Sequence, residues 1–213
     1  QDAARCDYVF LGVKPPMTAG MLSEIRSTLS ARTDRFILVS MAAALTCAQI
    51  QEMAGMSCPV IRIMPNTPAR IGQGVIQYDW NDRCREADVT EFLAVLDSAG
   101  WVCHLPERLI DAGSAVSGSG PAFAAMFIEA MADGGVICGL PRQTAMEYAA
   151  RTLIGTAELM LQSGDHPGKM KDAVCSPGGS TLQGVRALEK GAFRSAITEA
   201  IIATWEKNKE FAK

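Results

Sequence analysis

Residues 8–39 have the sequence YVFLGVKPPMTAGMLSEIRSTLSARTDRFILV, in which two short apolar runs flank an amphipathic segment. The runs at residues 8–13 and 36–39 do not alternate with polar residues, which is typical of strands buried on both faces. Apolar residues recur at helical spacing between them, so we predict a helix over residues 18–29. Strand, helix and strand in this order predict a parallel sheet covered by helices.

The same succession of elements continues to about residue 106. Further strands are predicted at residues 60–64, 72–78 and 101–105, with helices at residues 45–53 and 89–98. Residues 1–106 are therefore predicted to form half or more of a doubly wound α/β domain.

Strand patterns end at Pro106, and long helical periods follow, so residues 107–213 are predicted as an all-α domain. Pro121 suits the first position of a helix that runs to about Ile137, and later helices are predicted after Pro141, Thr181 and Phe193. Apart from Glu129, the helix after Pro121 is apolar nearly all round between residues 122 and 131. Such a helix needs cover on every side, so we predict a homodimer through the helical half.

The bulk composition excludes several classes of function. The 213 residues are 48% hydrophobic and 20% charged with a formal net charge of -3, so there is no basic surface for nucleic acid. The seven cysteines are well separated and form no C-x-x-C pair, which predicts a reduced chain in the cytosol without a zinc site. With two histidines and no uninterrupted apolar run of about 20 residues, we predict neither a metal centre nor a membrane partner.

Two candidate ligand contacts follow predicted strands. Gly12-Val13-Lys14-Pro15 stands at the carboxyl end of the first strand, the edge at which open α/β sheets bind ligands. Lys14 is either a contact to a cofactor phosphate or ribose, or a solvated lysine before a proline stop. Asn66 lies between two prolines after the strand at residues 60–64, and its amide can donate and accept at once. That amide suits a nicotinamide carboxamide or ribose, or it caps a rigid loop.

Two further stretches are rich in glycine and hydroxyl groups. Residues 111–121, DAGSAVSGSGP, lack the G-x-G-x-x-G fingerprint because Phe123 occupies the place of the last glycine. A hydroxyl there, such as that of Ser114, either binds a small substrate or belongs to close helix packing. Residues 176–181, SPGGST, precede a helix whose free N–H groups and dipole could seat a carboxylate. The alternative is an ordinary helix cap at Ser180 or Thr181.

Taken in order along the chain, these motifs are far more specific than any one of them. From about Cys6 to the end the chain resembles pyrroline-5-carboxylate reductase in V-K-P, R-x-M-P-N-T-P, D-A-G-S-A-V-S-G-S-G-P-A-F and H-P-G-x-x-x-D-x-V-C-S-P-G-G-S-T-L. The resemblance implies an incomplete Rossmann-type domain followed by a helical dimerisation domain. It also implies reduction of 1-pyrroline-5-carboxylate to L-proline, the last step of proline synthesis, with NADPH or NADH as hydride donor. Active sites built across a dimer, and larger assemblies of dimers, are implied as well.

The resemblance also implies roles for residues that match the motifs. Ser114 would be the hydroxyl near the ring nitrogen, and with Thr181 it would form the catalytic pair. The residues that would line the cofactor are Gly12, Val13, Lys14, Pro15, Met41, Ala42, Ala43 and Asn66. The residues that would hold the substrate carboxylate are Ser176, Gly178, Gly179, Ser180 and Thr181, with Asp172 stabilising their loop. Catalysis would be mainly placement, because a protonated imine is already electrophilic.

The chain departs from the family pattern in two ways. The strand and G-x-G-x-x-G turn that open the family would precede Gln1, so these 213 residues by themselves lack the pyrophosphate cradle and are expected to be poorly active. A sheet without its first strands would expose an unpaired edge, so we expect an intact mass well above 22.7 kDa. Ala44 stands where the family usually has glycine, and its methyl group is expected to tighten a turn near the cofactor.

Two rival functions remain open at this point. A related dehydrogenase of 3-hydroxy acids or of another imine would share the same domain plan. Such enzymes usually carry a lysine on the central helix, whereas the helix after Pro121 contains no lysine or arginine. The other rival is a non-catalytic dimer scaffold, which titration with NADPH would distinguish from an enzyme.

Overall fold

The computed structural model describes residues 2–211, so the outer ends of the two predicted domains, residues 1, 212 and 213, lie outside the described residues. The strands are β1 Tyr8–Leu11, β2 Ile37–Ser40, β3 Val60–Met64, β4 Gly74–Trp80 and β5 Gly100–His104. The helices between and after them are α1 Pro15–Ser30, α2 Cys47–Ala54, α3 Glu86–Leu96, α4 Glu107–Ser117, α5 Gly120–Ile137, α6 Arg142–Ser163, α7 Pro167–Ala173, α8 Ser180–Lys190 and α9 Phe193–Phe211.

The five strands form one sheet in the order β1-β2-β3-β4-β5. The pairs β1/β2, β2/β3 and β4/β5 are parallel, whereas β3/β4 is antiparallel. The predicted α/β class with a mostly parallel sheet is confirmed, and β3/β4 is the antiparallel pair within it. Residues 65–73 connect β3 to β4 through a 3-10 turn, and a parallel crossover needs about a dozen or more residues. The chain therefore turns back, and β4 and β5 run opposite to β1–β3.

Successive residues of the central strands are buried on opposite faces of the sheet. In β2, Leu38 belongs to the cluster formed with α1 and α2, whereas Ile37 and Val39 belong to the cluster that contains Phe92 of α3. All residues of β2 and β3 are buried. The absence of alternation in the apolar runs is thus explained by helices on both faces.

Local sequence fixes the ends of two helices on this sheet. Thr46 and Gln49 form a reciprocal capping box at the start of α2, and Gly55 ends that helix in the left-handed conformation. At the start of α3, Asp88 accepts hydrogen bonds from Arg85 and from Arg35, whose Nε lies 3.0 Å away. The hydrogen bond from the Arg85 side chain, with a further contribution from Arg35, holds the pKa of the Asp88 carboxyl well below its ordinary 3.8.

The helical half begins earlier than its glycine and serine content indicated. The stretch 111–121 was expected to lead into a helix, but residues 107–117 are themselves helix α4, and α5 starts at Gly120 after a short break. Serine and glycine are tolerated in α4 because its inner face packs against β3 and β4, and tertiary packing overrides propensity. Residues 164–166 separate α6 from α7, which starts at Pro167.

The described chain divides into two compact units. Within the described residues, one contains residues 2–121 and 201–211, and the other contains residues 122–200. The predicted domain boundary after residue 106 stays a prediction. Helix α5 fully buries only Ala132, although all of it lies within the described residues, and Met126 and Ile137 are 68% and 87% exposed.

One helical stretch, Glu107–Ile137, is long and apolar enough by composition to cross a membrane, with a mean hydropathy of 1.2. It is interrupted by the turn at Gly118 and Ser119, and its first part carries carboxylates that pair with the sheet. A helix of a dimer interface, covered by another subunit, can be as apolar as a membrane-spanning helix, so composition does not distinguish the two.

Candidate active site

Three of the predicted cofactor segments lie side by side at one edge of the sheet. Leu11 pairs with Ser40 and Ser40 pairs with Arg62, so β1 and β2 end in register and β3 ends two residues further on. Gly12, Met41 and Asn66 follow these strand ends closely. In open α/β sheets the carboxyl ends of parallel strands form the ligand crevice. The structure thus brings together residues that are far apart in sequence.

Helix α1 starts at this edge but cannot hold a phosphate through its first amides. Lys14 occupies the N-cap position, and Pro15 and Pro16 begin the helix. Prolines have no N–H group, and the next amide, that of Met17, already donates to the Lys14 carbonyl at 2.9 Å. At the start of this helix, an anion could therefore be bound by the exposed Lys14 side chain.

The turn after β2 lies close to Gly12. A Cβ added to Gly12 would approach Met41 Cε to 3.3 Å, so the two segments nearly touch. Ser40 Oγ accepts a hydrogen bond from the Ala42 amide at 3.3 Å. Ala44 is buried with φ of +64°, in the left-handed region that favours glycine. Ala44, which stands where the family usually has glycine, thus has a backbone conformation that glycine adopts with less strain.

Asn66 is held by both ends of its amide. Its Nδ2 donates to the Ser117 carbonyl and its Oδ1 accepts from the Val75 amide, each at 2.9 Å. One N–H and one lone pair of the amide remain for other partners. Asn66 therefore stabilises the loop after β3 through its side chain. Its role towards a nicotinamide stays a prediction.

Helix α4 is fixed to the sheet by charged groups at its start. The Asp79 carboxylate accepts from the Glu107 amide at 2.5 Å, which caps the helix where Pro106 offers no side-chain cap. One turn later Asp111 binds the guanidinium of Arg62 at 2.5 Å. Arg62 is 1% exposed and lies in the middle of β3, so this ion pair joins the helix to the core of the sheet.

Ser114 lies one turn beyond Asp111 and is 9% exposed. Its carbonyl oxygen accepts from the amides of Gly118 and Ser119 at 2.8 and 3.2 Å. A Cβ on Gly118 would lie 3.0 Å from Ser114 Oγ, so the glycine leaves space around the hydroxyl group. The hydroxyl is thus placed on a fixed helix rather than on a loop.

The turn before α8 has the geometry of an open anion seat. The Gly179 amide donates to the Ser176 carbonyl at 2.9 Å, and Gly178 has φ of +73°, as expected for a turn with proline second and glycine third. A Cβ on Gly179 would lie 2.5 Å from Ser176 Oγ and 3.0 Å from the Ser176 carbonyl oxygen, so this position favours glycine. Gly179 is the N-cap of α8 without a side-chain cap, and Ser180 and Thr181 are exposed in its first turn. First-turn amides without a side-chain cap can bind a carboxylate.

Asp172 lies at the end of α7 and supports the turn through the main chain. Its carbonyl accepts from the Cys175 amide at 3.0 Å, one residue before Ser176. Its carboxylate pairs with Lys171 at 2.5 Å, and this hydrogen bond raises the pKa of Lys171. The predicted stabilising role of the Asp172 side chain remains a prediction.

The histidines and cysteines have structural surroundings. His166 Nδ1 accepts from the Gly168 amide and caps α7, and His104 lies 3.2 Å from the Asp79 carboxylate. Burial, and then the adjacent Glu107 carboxylate, raise the pKa of Cys47 far above its ordinary value, so its thiol is a poor nucleophile. No group of three or more His, Cys, Asp or Glu side chains within residues 2–211 could hold a metal ion.

Comparison with known proteins identifies the family of the chain. Residues 107–211 match the family described as pyrroline-5-carboxylate reductase dimerisation. The pyrroline-5-carboxylate reductase of Synechocystis is 41% identical over 100% of this chain and 78% of its own length. The chain belongs to the pyrroline-5-carboxylate reductase family. The Escherichia coli reductase is 40% identical over 97% of this chain and 76% of its own length.

Solved structures of this reductase family have the same fold. A pyrroline carboxylate reductase from Plasmodium falciparum with NADP bound superposes with a TM-score of 0.92 at 31% identity, over 99% of this chain and 79% of that one. The reductase of Streptococcus pyogenes gives a TM-score of 0.88 at 30% identity, over 97% and 77%. These likenesses confirm the Rossmann-type sheet followed by a helical part that the resemblance implied.

Sequence reasoning about this reductase missed the polar groups that hold α4. Arg62 belongs to the R-x-M-P-N-T-P motif, and it is also a lone cation in an otherwise apolar strand. A buried arginine needs a carboxylate, and Asp111 was a candidate on the first helix after the sheet. Gln77, which binds Ser117 at 2.8 Å, gave no comparable signal because its neighbours in β4 are of mixed polarity.

Proposed function

We propose that this reductase converts 1-pyrroline-5-carboxylate to L-proline, the last step of proline biosynthesis, with NADPH or NADH as the hydride donor. The observation that carries the proposal is the similarity along the whole chain to reductases of that name, at 41% and 40% identity. The reaction adds a hydride to the imine carbon and a proton to the ring nitrogen, so the C=N bond becomes a secondary amine.

The sheet edge fits a dinucleotide. A nicotinamide dinucleotide, when bound, supplies the hydride. The Met41 side chain lies close to Gly12 at the edge where such ligands bind, and the Plasmodium falciparum relative binds NADP. Gly12, Val13, Lys14 and Pro15 after β1, with Met41, Ala42 and Ala43 after β2, would line the cofactor. Asn66, fixed by Ser117 and Val75, would present its remaining N–H and lone pair to the nicotinamide end.

The start of α8 would hold the substrate carboxylate. Gly178 and Gly179 keep the turn open, and the amides and hydroxyls of Ser180 and Thr181 supply donors, with Ser176 beside them. Each charge-assisted hydrogen bond contributes about 1.5 to 3 kcal/mol, so a few of them suffice for a small acid. Asp172 supports the turn from the end of α7.

Ser114 would act at the ring nitrogen. Its hydroxyl can accept a hydrogen bond from the protonated imine or donate one to the amine that forms, and so can orient the ring or relay a proton. No strong protein acid is needed, because the protonated imine is already electrophilic. The fixed position of α4 means that little reorganisation is required at the moment of transfer.

The assembly and location follow from the exposed helices and the thiols. The family match shows that the helical part belongs to a dimerising family, and we propose a homodimer, and assemblies of dimers, that cover α5. The seven cysteines are free, which suits the reducing cytosol. A molecular mass in solution equal to that of a monomer, measured at micromolar concentration, would refute the proposed homodimer.

Oxidation of NADPH and of NADH by the purified protein tests the proposal. Consumption is expected to depend on pyrroline-5-carboxylate and to be absent with 3-oxo acids of similar size, the compounds that a dehydrogenase of 3-hydroxy acids would reduce. Binding of NADPH without turnover of any imine would instead support the scaffold alternative.

A further inference from the structure

The side chain of Gln77 is clamped between two residues one turn apart on α4. Gln77 lies in β4 and is 5% exposed. Its Nε2 donates to Ser117 Oγ at 2.8 Å. Its Oε1 lies against Gly113, where an added Cβ would come within 2.5 Å of the oxygen and 2.7 Å of both Cδ and Nε2. The whole amide therefore fits only because residue 113 has no side chain.

Ser117 completes the link between α4 and the sheet. Its hydroxyl donates to the Gly113 carbonyl at 3.1 Å, and the same Ser117 Oγ accepts the hydrogen bond from Gln77 Nε2. Its own carbonyl accepts from Asn66 Nδ2 at 2.9 Å. The last turn of α4 is thus held to β4 by Gln77 and to the end of β3 by Asn66.

Ser114 lies inside this clamped turn, between Gly113 and Ser117. A shift of the turn away from β4 moves the Ser114 hydroxyl by the same amount, because the helix is rigid over one turn. We propose that Gln77 is a positioning residue for the reduction, acting through Gly113 and Ser117 to set the place of the Ser114 hydroxyl. The inference rests on the proposed function and deepens it.

The chemistry of Gln77 argues against a packing role alone. Its Oε1 has no conventional hydrogen-bond partner among residues 2–211. Leaving a buried amide oxygen unpaired is unfavourable, and methionine would fill a similar volume without that cost. What methionine cannot provide is the directed hydrogen bond to Ser117 Oγ.

The first experiment is the variant Gln77→Met in the full chain, with Gln73→Met at an exposed position nearby as the matched control. We expect kcat to fall about tenfold in Gln77→Met, the scale of one lost hydrogen bond, with the KM values of both substrates within about twofold. Gln73→Met is expected to keep wild-type kinetics. An unchanged kcat in Gln77→Met would overturn the inference.

A double-mutant cycle with Ser114→Ala separates positioning from general damage. Ser114→Ala should lower kcat with intact cofactor affinity, and Gln77→Met should lower it no further in that background. If Gln77→Met costs the same factor with and without the Ser114 hydroxyl, it does not act through that hydroxyl, and the inference is wrong.

Steric rescue provides the second, independent test. Gly113→Ala should lower the free energy of unfolding, because its methyl group collides with the Gln77 amide, and adding Gln77→Ala should restore part of that stability by making room. The double variant should keep a low kcat, because Gln77→Ala removes the hydrogen bond to Ser117. No restoration would contradict the clamp. A wild type that is inactive on the imine would overturn the proposed function, whereas an active wild type with full kcat in Gln77→Met overturns this inference alone.

Discussion

The substitution Gly179→Ala should disable the carboxylate seat while leaving the rest of the chain intact. A Cβ at residue 179 would lie 2.5 Å from Ser176 Oγ and 3.0 Å from the Ser176 carbonyl oxygen. The hydroxyl group can rotate away, but the carbonyl belongs to the backbone, so the turn must shift by a few tenths of an ångström. We expect this shift to lengthen the Gly179 N–H bond to Ser176 and to redirect the amides at the start of α8.

The loss of one charge-assisted hydrogen bond costs about 1.5 to 3 kcal/mol, which corresponds to a factor of about 10 to 150 in KM for the imine. We expect kcat at saturation to change much less, because the bond is made to the unreacting carboxylate. Steady-state kinetics at saturating NADPH measure both constants.

Two other glycines supply controls for this variant. Gly184 lies in the middle of α8 with open space where a Cβ would be, so Gly184→Ala should leave KM unchanged and stabilise the helix by about 0.5 to 1 kcal/mol. Gly178→Ala meets no atoms but is strained by φ of +73°, so an intermediate rise in KM is expected. A KM for Gly179→Ala within twofold of the wild type, in a folded protein, would refute the carboxylate seat.

Three further substitutions give definite expectations. Thr181→Ala should raise KM for the imine about tenfold, the scale of a hydrogen bond of about 1.4 kcal/mol, and unchanged kinetics would remove the residue from the site. Asp111→Ala leaves the buried Arg62 without its nearest carboxylate and should cost about 3 kcal/mol in urea unfolding, whereas the exposed Asp82→Ala should cost less than about 1 kcal/mol. Because the folded pKa of Asp88 is lowered, its contribution to stability is present above pH 3.8 and is lost as the pH falls further. Asp88→Asn should therefore destabilise the fold at pH 7 but progressively less below about pH 4, and a loss independent of pH would contradict the assignment.

The elements of the α/β half could be predicted because their periodicity is strong. The apolar run before Ser40 in β2, and the run in β3 that Arg62 alone interrupts, require cover on both faces, and the structure supplies it. The direction of β4 could not be predicted from its own residues, since a strand has the same pattern in either direction. The short connection at residues 65–73 decides it, and its effect is visible only when loop length is weighed against the crossover requirement.

Some residues of the candidate site could be predicted from the sequence and others could not, for a physical reason. Residues at strand ends and in the glycine turn stand out in the sequence because their roles need particular backbone geometry. Gln77 and Gly113 are coupled through a contact between β4 and α4, and such contacts leave no periodic pattern in one sequence. Ala44 was recognised as a departure from the family pattern, but its left-handed conformation became known from the backbone alone.

Transfer of deuterium from NADPH in which both hydrogens at C4 of the nicotinamide are deuterium tests the central claim most directly. The enzyme is incubated with labelled NADPH and unlabelled 1-pyrroline-5-carboxylate, and the product is analysed by mass spectrometry. The account predicts L-proline that carries one deuterium on the ring carbon that was the imine carbon. Proline without deuterium, or oxidised cofactor without proline, would contradict it.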